Sequence, residues 1–144
     1  MRYQVFLDTN VLISGIFFEG NESKILELPE IDLITSDYVI DELKIIIKKK
    51  LKYLGNRSLE IALSEMERAL SDIEVIGKTK YSAKIKIAEK LITHTKDIPV
   101  LAAVLFVRPD YFLTGDAHFF NEKIKGIVNV KTTSDLLSEI SLAD

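Results

Sequence analysis

The sequence predicts an α/β fold with a central, mainly parallel sheet of four to five strands, and three observations carry that expectation. Short apolar runs alternate with longer segments of helical period along the chain, the pattern of strand, crossover helix and parallel strand. The first run, YQVFL, is nearly continuously apolar, as expected of a strand covered on both faces. Carboxylates stand at the edges of apolar runs, Asp8 in FLDTN and Asp116 in FLTGD. In an open parallel sheet the ligand crevice lies just beyond the carboxyl ends of the strands, so both side chains would reach one rim.

Residues 3–7 make the first strand, and residues 10–18 can start a helix immediately after it. Residues 31–35 are a second strand, after which Ser36 or Asp37 caps a helix running to about Leu54 with Glu42 inside it. Gly55-Asn56 is a stop signal. Residues 58–73 then repeat Leu59, Leu63, Met66, Leu70 and Ile73 at helical spacing, so these two helices are expected to form a hairpin. Residues 73–76 are a third strand and residues 82–92 another helix. Asp97 is placed to cap the next helix, with Pro99 in its first turn and Ala102-Ala103 allowing close packing. Residues 111–114 are a buried strand, Gly115 allows a tight turn, and residues 127–130 lead into a last helix from about Ser134.

At 144 residues the chain fits a single domain, 1–144, long enough to bury a proper core. An apolar fraction of 47% with 28% charged residues is that of an ordinary soluble globular protein. The longest apolar stretch, residues 11–18, is far below the roughly 20 residues a membrane helix needs. The N-terminus runs into strand pattern without a basic leader, so no membrane association and a cytoplasmic location are expected. The absence of cysteine excludes disulfides, thiolate nucleophiles and zinc–thiolate sites. Oxygen ligands are then the expected donors, which favours magnesium or manganese over zinc. A net charge of -3 gives no global attraction to a polyanion, which local lysines and bound metal would have to hold.

Asp8, Glu42, Asp97 and Asp116 together read as one acidic metal site, because carboxylates gathered a few ångströms apart repel unless a cation sits among them. Each also has a plainer reading. Asp8 alone reads equally as a strand-end turn residue or helix cap. Asp97 before Ile-Pro is a good N-cap without any metal. Glu42 adjoins Asp41, and an exposed helix acid beside Lys44 is ordinarily solvated surface. Helical period separates the two: Val39, Leu43, Ile46 and Ile47 mark the buried stripe, Glu42 lies on its border, and Asp41 points further round. Asp116 is harder to dismiss, since it emerges where Asp8 does and Thr114 offers a hydroxyl to the same pocket. His118 is not expected to be a ligand, and His94 has no partner pattern. Lys44, Lys48, Lys49, Lys50 and Lys52, with Arg57 beyond, form a basic flank that reads either as a solvated face or as a phosphate track. Lys78, Lys80, Lys84, Lys86 and Lys90 make a second such region.

The ordered set of strand-DTN, an acid in the second helix, D-x-P-x-L-A-A before a strand and T-G-D at its end resembles the PIN-domain nucleases, a group that includes VapC-type toxins. The resemblance runs from Tyr3 to about Val130. It is similar above all to toxin components with a longer helical insert, because residues 56–72 add a helix between the second and third acids. The resemblance implies a three-layer α/β/α fold and metal-dependent endonucleolytic cleavage of single-stranded RNA, leaving a 5′-phosphate. It makes Asp8, Glu42, Asp97 and Asp116 the catalytic and metal-binding set for Mg²⁺ or Mn²⁺, with Asp8 and Asp116 the most direct ligands. A metal-activated water serves as nucleophile, so no protein nucleophile is needed. Asn10 would orient Asp8 by hydrogen bonding, Thr114 would support the site, and Lys44 and Lys48 would contact RNA. A homodimer and an antitoxin partner are also implied.

Three alternatives remain. An RNA-processing nuclease without an antitoxin would use the same residues. A haloacid-dehalogenase-type phosphatase resembles D-x-D-x-T, but the third position here is Asn10, which removes its general acid. A non-catalytic receiver-like or PIN-like module would bind metal weakly, and the four acids in order argue against it.

Overall fold

The strands and helices were located in a computed structural model describing residues 2–143. β1 (Tyr3–Leu7) passes directly into α1 (Thr9–Phe17), because Asp8 holds an extended backbone and its carboxylate accepts the Thr9 N–H. α2 (Asn21–Glu27) precedes β2 (Ile31–Ser36). α3 (Asp37–Lys49) starts where the Ser36 hydroxyl oxygen accepts the Val39 N–H. A 3₁₀ turn at Leu51–Tyr53 and the Ser58 cap lead into α4 (Leu59–Leu70) and then β3 (Glu74–Ile76). α5 (Lys78–Tyr81) and α6 (Ile85–Glu89) flank a 3₁₀ turn at Ser82–Lys84. α7 (Asp97–Val107) feeds β4 (Tyr111–Leu113). A 3₁₀ turn at Ala117–Phe120 is followed by α8 (Glu122–Lys125), β5 (Val130–Lys131) and α9 (Thr133–Ala143).

The five strands lie in the order β3-β2-β1-β4-β5, and every neighbouring pair is parallel. The chain winds outward from β1 through β2 to β3, then returns to place β4 on the other side of β1. That reversal creates a switch point between β1 and β4, where an open α/β sheet forms its binding crevice. Leu7 is in register with Leu113, so Asp8 and Thr114 emerge side by side at the carboxyl rim. The acidic rim expected from the sequence is thus a consequence of strand register.

Helices on both faces bury the sheet, whose Val5, Phe6, Leu7, Phe112 and Leu113 are fully enclosed. Phe112 makes edge-on contacts with Phe6 at 5.7 Å and with Phe119 at 4.9 Å between ring centroids. Phe119 thereby anchors the turn after β4 to the core, and truncating so buried a ring costs about 3–5 kcal/mol. In α7, Val100 to Val104 are all buried, which is why this helix reads as apolar all round. It stops at Arg108, in the left-handed region at φ 54, followed by Pro109.

Several element boundaries differ from expectation. The helix expected to reach Leu54 ends at Lys49. The helix expected over residues 82–92 is broken instead into α5, a 3₁₀ turn and α6. Its start is tied to α3, since the Tyr81 hydroxyl donates to Asp37 Oδ1 at 2.7 Å and the Lys78 N–H to Asp37 Oδ2 at 2.9 Å. α2 and α8 were not anticipated. α2 lies so close to α1 that a methyl group on Gly15 would sit 2.6 Å from Leu26 Cδ1. Among the described residues, no helix is long and apolar enough to cross a membrane.

Candidate functional site

Asp8 is 6% exposed and held at both oxygens. Oδ1 accepts the Thr9 N–H at 2.8 Å, and Oδ2 accepts the Thr114 hydroxyl at 2.6 Å. Thr114 Oγ1 also accepts the Asp116 N–H at 3.0 Å, which links the two strand-end acids through one side chain. Burial pushes the Asp8 carboxyl up to about 6. The Thr114 and Thr9 hydrogen bonds oppose that rise, while the Glu42 and Asp116 carboxylates add to it.

Glu42 reaches the same centre from α3. The Thr9 hydroxyl donates to Glu42 Oε1, so one threonine braces the first two acids through its N–H and its hydroxyl. Asp41 is exposed, as adjacent residues about 100° apart on a helix require when one turns inward. Tyr38, one turn before Glu42, faces the cluster as well. Burial raises its phenol, and the Glu42 and Asp97 carboxylates raise it further.

Asp97 does not cap α7 with its side chain. It is the first helical residue, with Lys96 at the cap position, and its own N–H bonds His94 O at 3.0 Å. Its carboxylate is freed to face His118, whose Nδ1 lies 3.2 Å from Asp97 Oδ2 and 3.0 Å from Asp116 Oδ1. Burial and the Asp116 carboxylate raise the Asp97 carboxyl, and His118 and His94 counteract them. Asp116 Oδ1 also accepts the His118 N–H at 2.9 Å, closing the turn after Gly115.

The fold therefore draws all four predicted acids to one rim, but as an open ring. Among the described residues, the only three metal-ligating side chains whose donor atoms all fall within 4.8 Å of one another are His94, Asp97 and His118. The four carboxylates offer an all-oxygen donor set, with Asp8 pushed towards its neutral form mainly by burial, and that donor chemistry suits a hard divalent cation.

Asn10 does not take the orienting role expected of it. It is exposed, and no hydrogen bond joins it to Asp8 among the described residues; Thr9 and Thr114 do that work. Lys44, two residues beyond Glu42, lies about 200° round α3 and so on its far side. Lys48 joins Lys49, Lys52, Asn56 and Arg57 around a basic hollow at the other end of that helix. Thr9, Tyr38 and the two histidines were missed. Helical spacing from Glu42 would have found Tyr38, and the DTN triplet itself contained Thr9.

An open parallel sheet with carboxylates delivered to its switch point defines an α/β protein with an acidic crevice. The chain belongs to the PIN domain family, which it matches over residues 6–140. Its fold is similar to that of VapBC2 from Rickettsia felis bound to a promoter DNA fragment, with a TM-score of 0.64 and 19% identity over 90% of this chain and 98% of that one. A toxin–antitoxin complex from Klebsiella pneumoniae aligns with a TM-score of 0.65 and 18% identity, covering 90% and 97% of the two chains. VapBC-1 from nontypeable Haemophilus influenzae aligns with a TM-score of 0.64 and 16% identity, covering 91% and 98%. No curated protein sequence matches the chain.

Proposed function

We propose that this protein is a Mg²⁺- or Mn²⁺-dependent endoribonuclease acting on single-stranded RNA, with Asp8, Glu42, Asp97 and Asp116 as its catalytic, metal-holding set. One observation carries the reading: Asp8 is buried at the switch point beside Glu42 and Asp116, with its carboxyl pushed up to about 6. Burying a carboxylate, with two more nearby, costs stability unless a cation relieves it. Held by these residues, a divalent ion would supply water activation near neutral pH and charge stabilisation at phosphorus.

The chain's own residues prepare the centre. Thr9 and Thr114 fix both oxygens of Asp8, and Thr9 also holds Glu42. His118 spaces Asp97 from Asp116. Lys48, about 9 Å along α3 from Glu42 and about 120° round from it, lines a basic hollow with Lys49, Lys52 and Arg57 that suits RNA phosphates beyond the acidic centre. Membership of the PIN family supports RNA as substrate.

The same fold in three toxin–antitoxin complexes supports the further reading that this nuclease is the toxin of such a pair and is held inactive by an antitoxin protein. Copurification with the product of an adjacent open reading frame tests that part. The nuclease itself is tested with labelled single-stranded RNA in Mg²⁺ or Mn²⁺ and in excess EDTA. Cleavage that requires metal and leaves 5′-phosphate ends is expected; full activity in EDTA overturns the reading.

A further inference from the structure

Two histidines that the nuclease reading leaves without a ligand role stand against one edge of the acidic centre. His94 lies in the turn before α7 and His118 in the 3₁₀ turn after β4, and both are exposed. Their rings stack with centroids 3.5 Å apart and planes 18° from parallel. One donor atom from each of His94, Asp97 and His118 falls within 4.8 Å of the other two.

The His118–Asp97 and His118–Asp116 separations are those of hydrogen bonds, and they are also short enough for neighbouring ligands of one ion. Neighbouring donors about 2.1 Å from one octahedral ion lie about 3.0 Å apart. His118 Nδ1 already stands 3.0 Å from Asp116 Oδ1 and 3.2 Å from Asp97 Oδ2. The stacked rings do not yet share a ligand position, because an ion lies in the plane of each imidazole that binds it and near-parallel planes have no nearby common point. One ring must turn about its Cβ–Cγ bond, and the exposure of both side chains leaves room for that.

We infer that His94, His118 and Asp97, with Asp116 at the edge, form a binding site for a borderline transition-metal dication of the Zn²⁺, Co²⁺ and Ni²⁺ class. Two imidazoles with carboxylate oxygens suit such ions, whereas Mg²⁺ prefers oxygen alone and keeps its waters. The absence of cysteine therefore does not disfavour zinc here as the composition suggested, since the fold assembles nitrogen donors that no local sequence pattern joins. The site borrows Asp97 and Asp116 from the acidic set. Resting on the nuclease reading for this consequence alone, Zn²⁺ seated there competes with Mg²⁺-dependent cleavage.

Binding to metal-free protein tests the site without any substrate. Calorimetry with Zn²⁺ and with Mg²⁺, and Co²⁺ visible absorption, are run on wild type and on His94→Ala, whose ring touches no acid in the structure. Wild type is expected to bind Zn²⁺ more tightly than Mg²⁺. His94→Ala should lose at least about tenfold of Zn²⁺ affinity, the scale seen even for residues that only support a ligand. Zn²⁺ should also shift the ring-nitrogen NMR signals of both histidines. Equal Zn²⁺ affinity in His94→Ala and wild type, or unmoved ring-nitrogen signals, overturns the inference. Histidine-dependent Zn²⁺ binding in a protein that cleaves no RNA would refute the nuclease reading and leave this one standing.

Discussion

Thr114 donates its hydroxyl to Asp8 Oδ2 at 2.6 Å, across a strand pair whose register sets Leu7 against Leu113. Thr114 Oγ1 also accepts the Asp116 N–H at 3.0 Å, so one buried hydroxyl serves both strand-end acids. Thr114→Val keeps the shape and removes both bonds. It should cost about 1–3 kcal/mol, the penalty for stranding buried polar groups. Urea unfolding of the metal-free protein measures this; an unchanged midpoint would mean that the hydroxyl is dispensable.

Asp8 makes stability depend on pH in a stated direction. Its carboxyl titrates at 3.8 in the unfolded chain and at about 6 in the fold. Protonated Asp8 is therefore favoured by folding, and its contribution is complete below about pH 4 and lost as pH rises through about 6. A shift of roughly two units corresponds to a loss on the order of 3 kcal/mol. In EDTA, Asp8→Asn should melt higher than wild type at pH 8 and show a smaller advantage at pH 4, and added Mg²⁺ should narrow the pH 8 difference. Wild type and Asp8→Asn with the same melting temperature at pH 8 would contradict this.

Glu42 and Asp41 separate cleanly. Glu42 takes the Thr9 hydroxyl and is half-buried, whereas Asp41 faces solvent. Asp41→Ala should be nearly silent in single-turnover cleavage. Glu42→Gln should slow it about a hundredfold or more, the cost of misplacing a reacting group by about an ångström. High Mn²⁺ should rescue a defect in metal binding.

Gly15 marks the contact between α1 and α2. A Cβ there meets Leu26 Cδ1 at 2.6 Å and Glu22 O at 3.1 Å. Leu26 can yield, but the Glu22 backbone cannot yield without moving α2. Gly15→Ala should cost about 1–3 kcal/mol by overpacking while leaving metal affinity unchanged. Denaturation midpoints and Mg²⁺ calorimetry check the two halves.

The strands were legible because buried parallel strands are read as apolar runs, and the rim acids because register carries strand ends to one edge. Helix phase from the Val39, Leu43, Ile46 and Ile47 stripe, together with motif order, placed Glu42 towards the centre and Asp41 further round; in the fold Glu42 is half-buried against Thr9 and Asp41 is exposed. Tertiary contacts hid the rest. The break after Tyr81 follows a tie to Asp37 that no local propensity contains. Asp97 looked like a cap, yet its carboxylate turns to a histidine brought from the far side of β4. His94 and His118 meet only because the turns before α7 and after β4 converge at the switch point, so neither carried a signal of its own. Asn10 sits in the triplet beside Asp8, but helix geometry turns it outward and leaves Thr9 facing in.

On the proposed reading, the acidic rim holds the divalent cation that RNA cleavage requires. Single-turnover cleavage of single-stranded RNA by wild type and Asp8→Asn, over a range of Mg²⁺ concentrations and in EDTA, tests it most directly. Metal-dependent cleavage by wild type and at least about a hundredfold loss in a folded Asp8→Asn are the predicted result. Cleavage by Asp8→Asn at the wild-type rate, or by wild type in EDTA, would contradict it.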